Sequence, residues 1–101
     1  MIKASFSIHG DSAAFQITGH AEYAEPGQDI VCAAVSSAAY FAANTVTEIL
    51  RVPAEVQEQA GSMRLAFSDS AAAADIVRGL LLHLENLEAQ YPAFISVKRE
   101  V

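Results

Sequence analysis

The sequence predicts a single α+β domain (α/β in the broad sense) with the element order β-β-α-β-β-α-β, in which two helices cover one face of a mixed sheet. A chain of 101 residues can bury one modest core. Apolar and polar residues alternate in several short segments, which is the period of half-buried strands. Two longer segments have the composition or spacing of helices, and no repeat or linker interrupts the chain. We therefore expect residues 1–101 to form one domain.

The first two strands are predicted from period-two alternation. Residues 2–9 place apolar side chains at every second position, and residues 10–12 follow as a turn. In the second strand Phe15 and Ile17 share a face with Gly19, and His20 ends the strand on the opposite, polar face. Residues 22–28 then form a polar loop.

The first helix is predicted to run from about Ile30 to Leu50, with Asp29 as its N-cap and an end before Pro53. Its many alanines and serines allow close packing against a sheet or another helix. Residues 30–47 carry no charge, but they are too weakly apolar for a typical membrane span of about 20 residues. A buried helix of a soluble domain is the better interpretation.

The second half of the chain predicts a hairpin, a helix and a last strand. Residues 54–60 and 62–67 flank Gly61 as a hairpin, and a helix begins near Asp69 or Ser70. The helix has an apolar stripe and ends before Pro92, and residues 94–101 form the last strand. Leu82 lies off that stripe, which leaves a homodimer open.

Charge and cysteine content limit the function classes. The net charge is −6, and the six basic residues are scattered along the chain, which argues against a nucleic-acid surface. An acidic chain can attract a cationic peptide, although a solvated acidic surface explains the same composition. A single cysteine allows no intrachain disulfide, and the three histidines lack metal-ligand spacing, so we expect no metal or cofactor. A lone thiol and the absence of a signal peptide or membrane span favour the cytoplasm.

The most informative residues are Cys32, near the start of the predicted helix, and His20, twelve residues earlier at a strand end. The positive end of a helix dipole favours the thiolate, which is the nucleophilic form of cysteine. A histidine within reach could take the thiol proton and return it to a leaving group. Ser36 lies one helical turn after Cys32, and its hydroxyl could donate to the thiolate or to the carbonyl of Cys32.

These residues by themselves leave alternatives open. A lone cysteine is often a small buried hydrophobe, His20 could be an ordinary polar sheet residue, and Asp29 could cap the helix or orient His20. The chain could therefore be a thiol protease, a non-catalytic peptide-binding module, or a thiol enzyme acting on a small molecule. The rate at which the thiol is alkylated separates the first two classes, because a buried thiol reacts slowly.

One string of residues carries a family resemblance. It is Gly19-His20-Ala21, a variable loop, and then Gly27-x-Asp29-Ile30-Val31-Cys32-Ala33-Ala34-Val35-Ser36. This string resembles the ribosomal-processing cysteine proteases of the Prp family, and the length and element order agree over the whole chain.

The resemblance implies a homodimeric endopeptidase without a cofactor. Its substrate would be the N-terminal extension of a large-subunit ribosomal protein, removed before ribosome assembly. By position, Cys32 is the nucleophile and His20 its base, with Gly19, Asp29 and Ser36 as supporting motif residues. The loop from Ala21 to Gln28, which contains Tyr23 and Gly27, would be a lid over the substrate peptide. The alternative within this resemblance is a non-catalytic ribosome-associated module that binds the same peptide.

Overall fold

Five strands and two α-helices follow one another in the predicted order within the part of the chain that the structure describes. A computed structural model describes residues 1–19 and 28–100, with Gln28 described through its backbone alone. The strands are β1 (Ile2–His9), β2 (Ser12–Thr18), β3 (Glu55–Gln59), β4 (Ser62–Phe67) and β5 (Ile95–Glu100), and the helices are α1 (Gln28–Asn44) and α2 (Ala71–Gln90). The predicted fold class is confirmed.

The sheet is mixed, and its strand order is β3-β4-β2-β1-β5. All neighbouring pairs are antiparallel except β1 and β5, which are parallel because α2 carries the chain from β4 at one side to β5 at the other. The strand β3 is one edge of the sheet, and each of its five residues is exposed. At the other edge, the Glu88 carboxylate of α2 accepts from the Val97 N–H at 2.7 Å.

The core lies between the sheet and the two helices. The inward side chains of β1 and β2 include Phe6 and Phe15, whose ring centroids are 5.8 Å apart. From α1, Val31 and Val35 are fully buried, and Leu84 of α2 has no exposed surface. Both helices therefore cover one face of the sheet, as predicted.

The outer face of the sheet is polar and gathers basic residues that are far apart in sequence. Lys3 lies opposite Ser96, and Ser5 lies opposite Lys98, so the two lysines are diagonal neighbours on β1 and β5. Arg64 of β4 shares this face through its pairing with Gln16. The six basic residues are scattered along the chain, but three of them lie together on one face of the sheet.

The first helix differs from its prediction at both ends. It begins at Gln28, so Asp29 is inside the first turn, and the Asp29 carboxylate accepts from the Ile30 N–H at 3.0 Å rather than from a later N–H. The prediction of an Asp29 N-cap is therefore wrong. At the other end, Thr45–Ile49 form a π-helical turn, closed by the Leu50 N–H donating to the Thr45 carbonyl at 2.8 Å.

Residues Asp29–Ile49 are long and apolar enough, by length and composition, to cross a membrane. That likeness is weak, because the core helix of a soluble domain passes the same test. In this structure, one side of α1 packs into the core beneath it through Val31, Val35 and Ala39.

Candidate active site

Cys32 is the fifth residue of α1 and lies beside the buried side of that helix. Val31 and Val35 are 1% and 0% exposed, and they fix the rotation of the helix about its axis. Cys32 is a free cysteine that packs against the core and is only partly buried. The thiol is therefore neither fully enclosed, as a structural cysteine is, nor free of packing constraints.

Gly19 holds the end of β2 in a conformation that another residue would adopt only with strain. Its φ is +96°, and a Cβ atom on it would lie 2.3 Å from the Met1 carbonyl oxygen. Its N–H donates to the Gly61 carbonyl at 3.1 Å, so the β3–β4 turn anchors the chain directly before His20. The glycine is required here by both the positive φ and the close approach of the backbone.

Three of the predicted site residues, His20, Tyr23 and Gly27, lie outside the described residues. The contact between Cys32 and His20, and the lid, therefore stay predictions. Among the described motif residues, Gly19 stands at the end of β2 and Cys32 in α1, the elements on either side of that segment.

Asp29 and Ser36 are placed on α1 on either side of Cys32. Asp29 is exposed in the first turn, where a carboxylate interacts favourably with the positive end of the helix dipole. Ser36 is partly buried one turn after Cys32 and lines a groove. Both are therefore close to Cys32 along the helix, since Asp29 precedes it by three residues and Ser36 follows it by four.

The groove beside Ser36 was not predicted from the sequence. It lies between α1 and the β3–β4 hairpin, has a volume of about 620 Å³, and is lined by Ser36, Ala39, Tyr40, Glu58, Gln59, Ala60, Gly61, Ser62 and Met63. The Tyr40 hydroxyl donates a hydrogen bond to the Glu58 carboxylate across this groove. That hydrogen bond, followed by desolvation and the negative charge of Glu58, raises the pKa of Tyr40 above its usual value.

The sequence does contain a signal for one wall of this groove. Cys32, Ser36 and Tyr40 are spaced by four residues and so lie along one side of α1. Glu58 carried no such pattern, because only the tertiary structure places β3 beside Tyr40.

Comparisons with known proteins agree on one family. The chain matches the family model described as cysteine protease Prp over residues 1–96. The ribosomal processing cysteine protease Prp of Bacillus subtilis (strain 168) is 31% identical over 111 residues, which cover 100% of this chain and 99% of that protein. The protein of the same name from Mycoplasma pneumoniae is 36% identical over 104 residues, covering 95% of this chain and 92% of that protein.

Solved structures share the fold. The crystal structure of an essential ribosomal processing protease Prp from S. aureus in complex with a substrate peptide has a TM-score of 0.86 at 20% identity, covering 99% of this chain and 100% of that one. The crystal structure of SMU.848 from Streptococcus mutans has a TM-score of 0.77 at 29% identity, covering 98% of this chain and 96% of that one.

Proposed function

The chain belongs to the Prp family of cysteine proteases, and on that premise we propose that it removes the N-terminal extension of a large-subunit ribosomal protein before ribosome assembly. Two relatives at 31% and 36% identity are named ribosomal processing proteases. A structure of the same fold was crystallised with a substrate peptide. The observation that carries the proposal is the partly exposed free thiol of Cys32 in α1. The helix α1 follows β2 in the chain, and the Gly61 carbonyl holds Gly19 at the end of β2.

In the proposed reaction the Cys32 sulfur attacks the carbonyl carbon of the scissile peptide bond. His20 takes the thiol proton and delivers it to the nitrogen of the leaving amine as the C–N bond breaks. Water then attacks the thioester, with His20 again accepting a proton. The cleaved extension leaves as a carboxylic acid and the thiol is restored.

The supporting residues have distinct roles in this proposal. Gly19 sets the position from which the chain continues to His20, because its backbone is held by the Gly61 carbonyl. Asp29 adds negative charge in the first turn of α1 and, since it does not cap the helix, is assigned to orienting His20. Ser36 lies one turn from the thiol and is assigned to contact with the substrate or the thiolate.

The proposal includes a homodimer and a cytoplasmic location. Phe41 on α1 is 73% exposed, and Leu82 on α2 is 61% exposed, so the helix layer presents large apolar side chains to its surroundings. A groove between the helices beside Phe41 is lined mostly by small and apolar residues. The cytoplasm fits a protein that acts through a free thiol and meets a newly made ribosomal protein. Fractionation of cells in which the chain carries a tag tests this location, and recovery outside the cytoplasmic fraction contradicts it.

The decisive experiment mixes the full-length ribosomal precursor with the wild-type protein and with Cys32→Ala, and follows the precursor mass by mass spectrometry. We expect the wild-type protein to shorten the precursor at its N-terminus. Cys32→Ala should be slower by roughly a thousandfold or more, since loss of a nucleophile removes the covalent route. Its circular dichroism spectrum is the folding control.

Two results would contradict the proposal. Turnover by folded Cys32→Ala at the wild-type rate would remove Cys32 as nucleophile. A wild-type protein that binds the precursor and leaves its mass unchanged would instead indicate the peptide-binding module.

A further inference from the structure

The groove between α1 and the β3–β4 hairpin begins one helical turn from Cys32. Ser36 and Tyr40 line its helix side and follow Cys32 at spacings of four and eight residues. They therefore extend from the thiol along one side of α1. The opposite wall is formed by the end of β3 and the β3–β4 turn.

The strand β3, at the edge of the sheet, is exposed to solvent beside this groove. Register places Val56 opposite Leu65 and Glu58 opposite Met63, so both β3 side chains point to the helix-covered face of the sheet. Leu65 is 0% exposed, whereas Val56 is 46% exposed. The helix layer therefore stops short of β3, and a peptide can reach Glu58 from solvent.

Glu58 supplies a fixed negative charge on this strand. The Tyr40 hydroxyl donates to the Glu58 carboxylate and so limits its orientation. Within residues 1–19 and 28–100, the only ion pairs of lysine or arginine are Arg78 with Asp75 and Arg99 with Glu85. In that part of the chain, no cation neutralises Glu58, and a carboxylate accepting one hydroxyl retains capacity for further donors.

The separation along α1 between Cys32 and Tyr40, which contacts this charge, can be expressed in substrate residues. Tyr40 follows Cys32 by eight positions in α1, a rise of about 12 Å along the helix axis. An extended peptide advances about 3.3 Å per residue, so this rise corresponds to about three or four substrate residues.

We propose that Tyr40 and Glu58 form a specificity subsite for a lysine or arginine side chain of the substrate, three or four residues from the cleaved bond. The ammonium or guanidinium group pairs with the Glu58 carboxylate, and the aliphatic part of the side chain lies against Tyr40 and Val56. Tyr40 acts as a positioning residue for Glu58. This subsite rests on the proposed protease function and adds a charge requirement to it.

The test uses peptides that span the bond cleaved in the ribosomal precursor, with all charged residues replaced by neutral ones. A single lysine is placed in turn at each position up to about four residues on either side of that bond, since this range covers the estimated distance. The matched peptide carries norleucine, which keeps the aliphatic chain and lacks the charge. We measure kcat/KM for each pair.

For the wild-type protein we expect lysine to exceed norleucine by about three- to fivefold at one position, the size typical of a solvent-accessible ion pair. Glu58→Gln should remove this preference, and Glu58→Lys should reverse it. Tyr40→Phe should reduce the preference and keep its position, because the carboxylate remains but is less constrained. High salt should weaken the preference in the wild-type protein.

Glu55→Gln is the matched control. Glu55 lies on the same strand three residues earlier, but its register with Ala66 places it on the opposite face of the sheet. Glu55→Gln removes one negative charge from β3, as Glu58→Gln does, and should keep the lysine preference. Equal loss in Glu55→Gln and Glu58→Gln would mean a general electrostatic effect and would overturn the subsite.

The outcome also separates the subsite from the protease activity. Cleavage of every peptide with no lysine preference that depends on Glu58 leaves the protease standing and removes the subsite. If no peptide is cleaved, the affinity of Cys32→Ala for the same peptides still reports the charge preference. Equal affinity for the lysine and norleucine peptides would then overturn the subsite.

Discussion

At the residue scale, Gly19 is required by its backbone conformation and by the close approach of the Met1 backbone. A Cβ at Gly19 would lie 2.3 Å from the Met1 carbonyl oxygen, and the φ of +96° disfavours every residue with a side chain. The same residue donates to the Gly61 carbonyl and lies directly before His20. The fold therefore requires a glycine at this motif position, and the sequence alone does not show why.

Gly19→Ala should destabilise the protein more than Gly10→Ala. Both glycines have positive φ, but a Cβ at Gly10 meets no atom within 4 Å. We expect a loss of about 1 kcal/mol in the free energy of unfolding for Gly10→Ala and about 2 kcal/mol or more for Gly19→Ala, since the second change adds a backbone clash to the strain. Urea denaturation measures both. Equal losses would mean that the Met1 backbone moves aside at no cost.

At the element scale, three sides of α1 have different surroundings. Val31 and Val35 anchor it in the core, Ser36 and Tyr40 lie beside the β3–β4 hairpin one and two turns after Cys32, and Phe41 is exposed. This arrangement follows from 3.6 residues per turn and an alanine-rich sequence that permits close packing. One helix can therefore hold the thiol, a groove wall and an exposed apolar surface.

Ser70 and Asp29, at the starts of the two helices, should contribute differently to the free energy of unfolding. The Ser70 side chain caps α2 by accepting from the Ala73 N–H at 3.1 Å, while Asp29 makes no such cap on α1. Ser70→Ala should lower the free energy of unfolding by about 1 kcal/mol. Asp29→Asn should change it by less than about 1 kcal/mol, because only a favourable charge in the first turn is removed.

Activity separates the two roles further. Asp29→Asn should lose about as much precursor cleavage as Asp29→Ala, because charge rather than capping is the role left to Asp29. Ser70→Ala, measured under conditions where it is folded, should cleave the precursor at the wild-type rate. Full activity of Asp29→Asn would contradict the assignment to orienting His20.

At the scale of the whole molecule, the covered and open faces of the sheet differ in chemistry. The helix side holds the core and, at its margin beside β3, the groove that contains Glu58. The open side carries Lys3, Arg64 and Lys98 among hydroxyl and amide side chains. The proposed protease site and its carboxylate are therefore on the opposite side of the sheet from these cations, where a basic peptide is not repelled by them.

The proposed homodimer makes a prediction about mass. Light scattering should give twice the 10.7 kDa of one chain. Phe41→Glu should give the mass of one chain, since it places a charge on a side chain that is 73% exposed and would be buried between copies. Gln57→Glu is the control, because Gln57 pairs with Arg64 on the outer face of the sheet. A wild-type protein with the mass of one chain would contradict the dimer.

Local pattern determined the element order, the hairpin turn at Gly61 and the fold class, because alternation and helical spacing are properties of neighbouring residues. The string from Gly19 to Ser36 likewise indicated the protease family, since it lies within one short stretch. The strand order, the parallel pairing of β1 with β5 and the meeting of Tyr40 with Glu58 were decided only by the tertiary structure. These contacts join segments that are distant along the chain, and no residue in either segment specifies its partner until the core has packed.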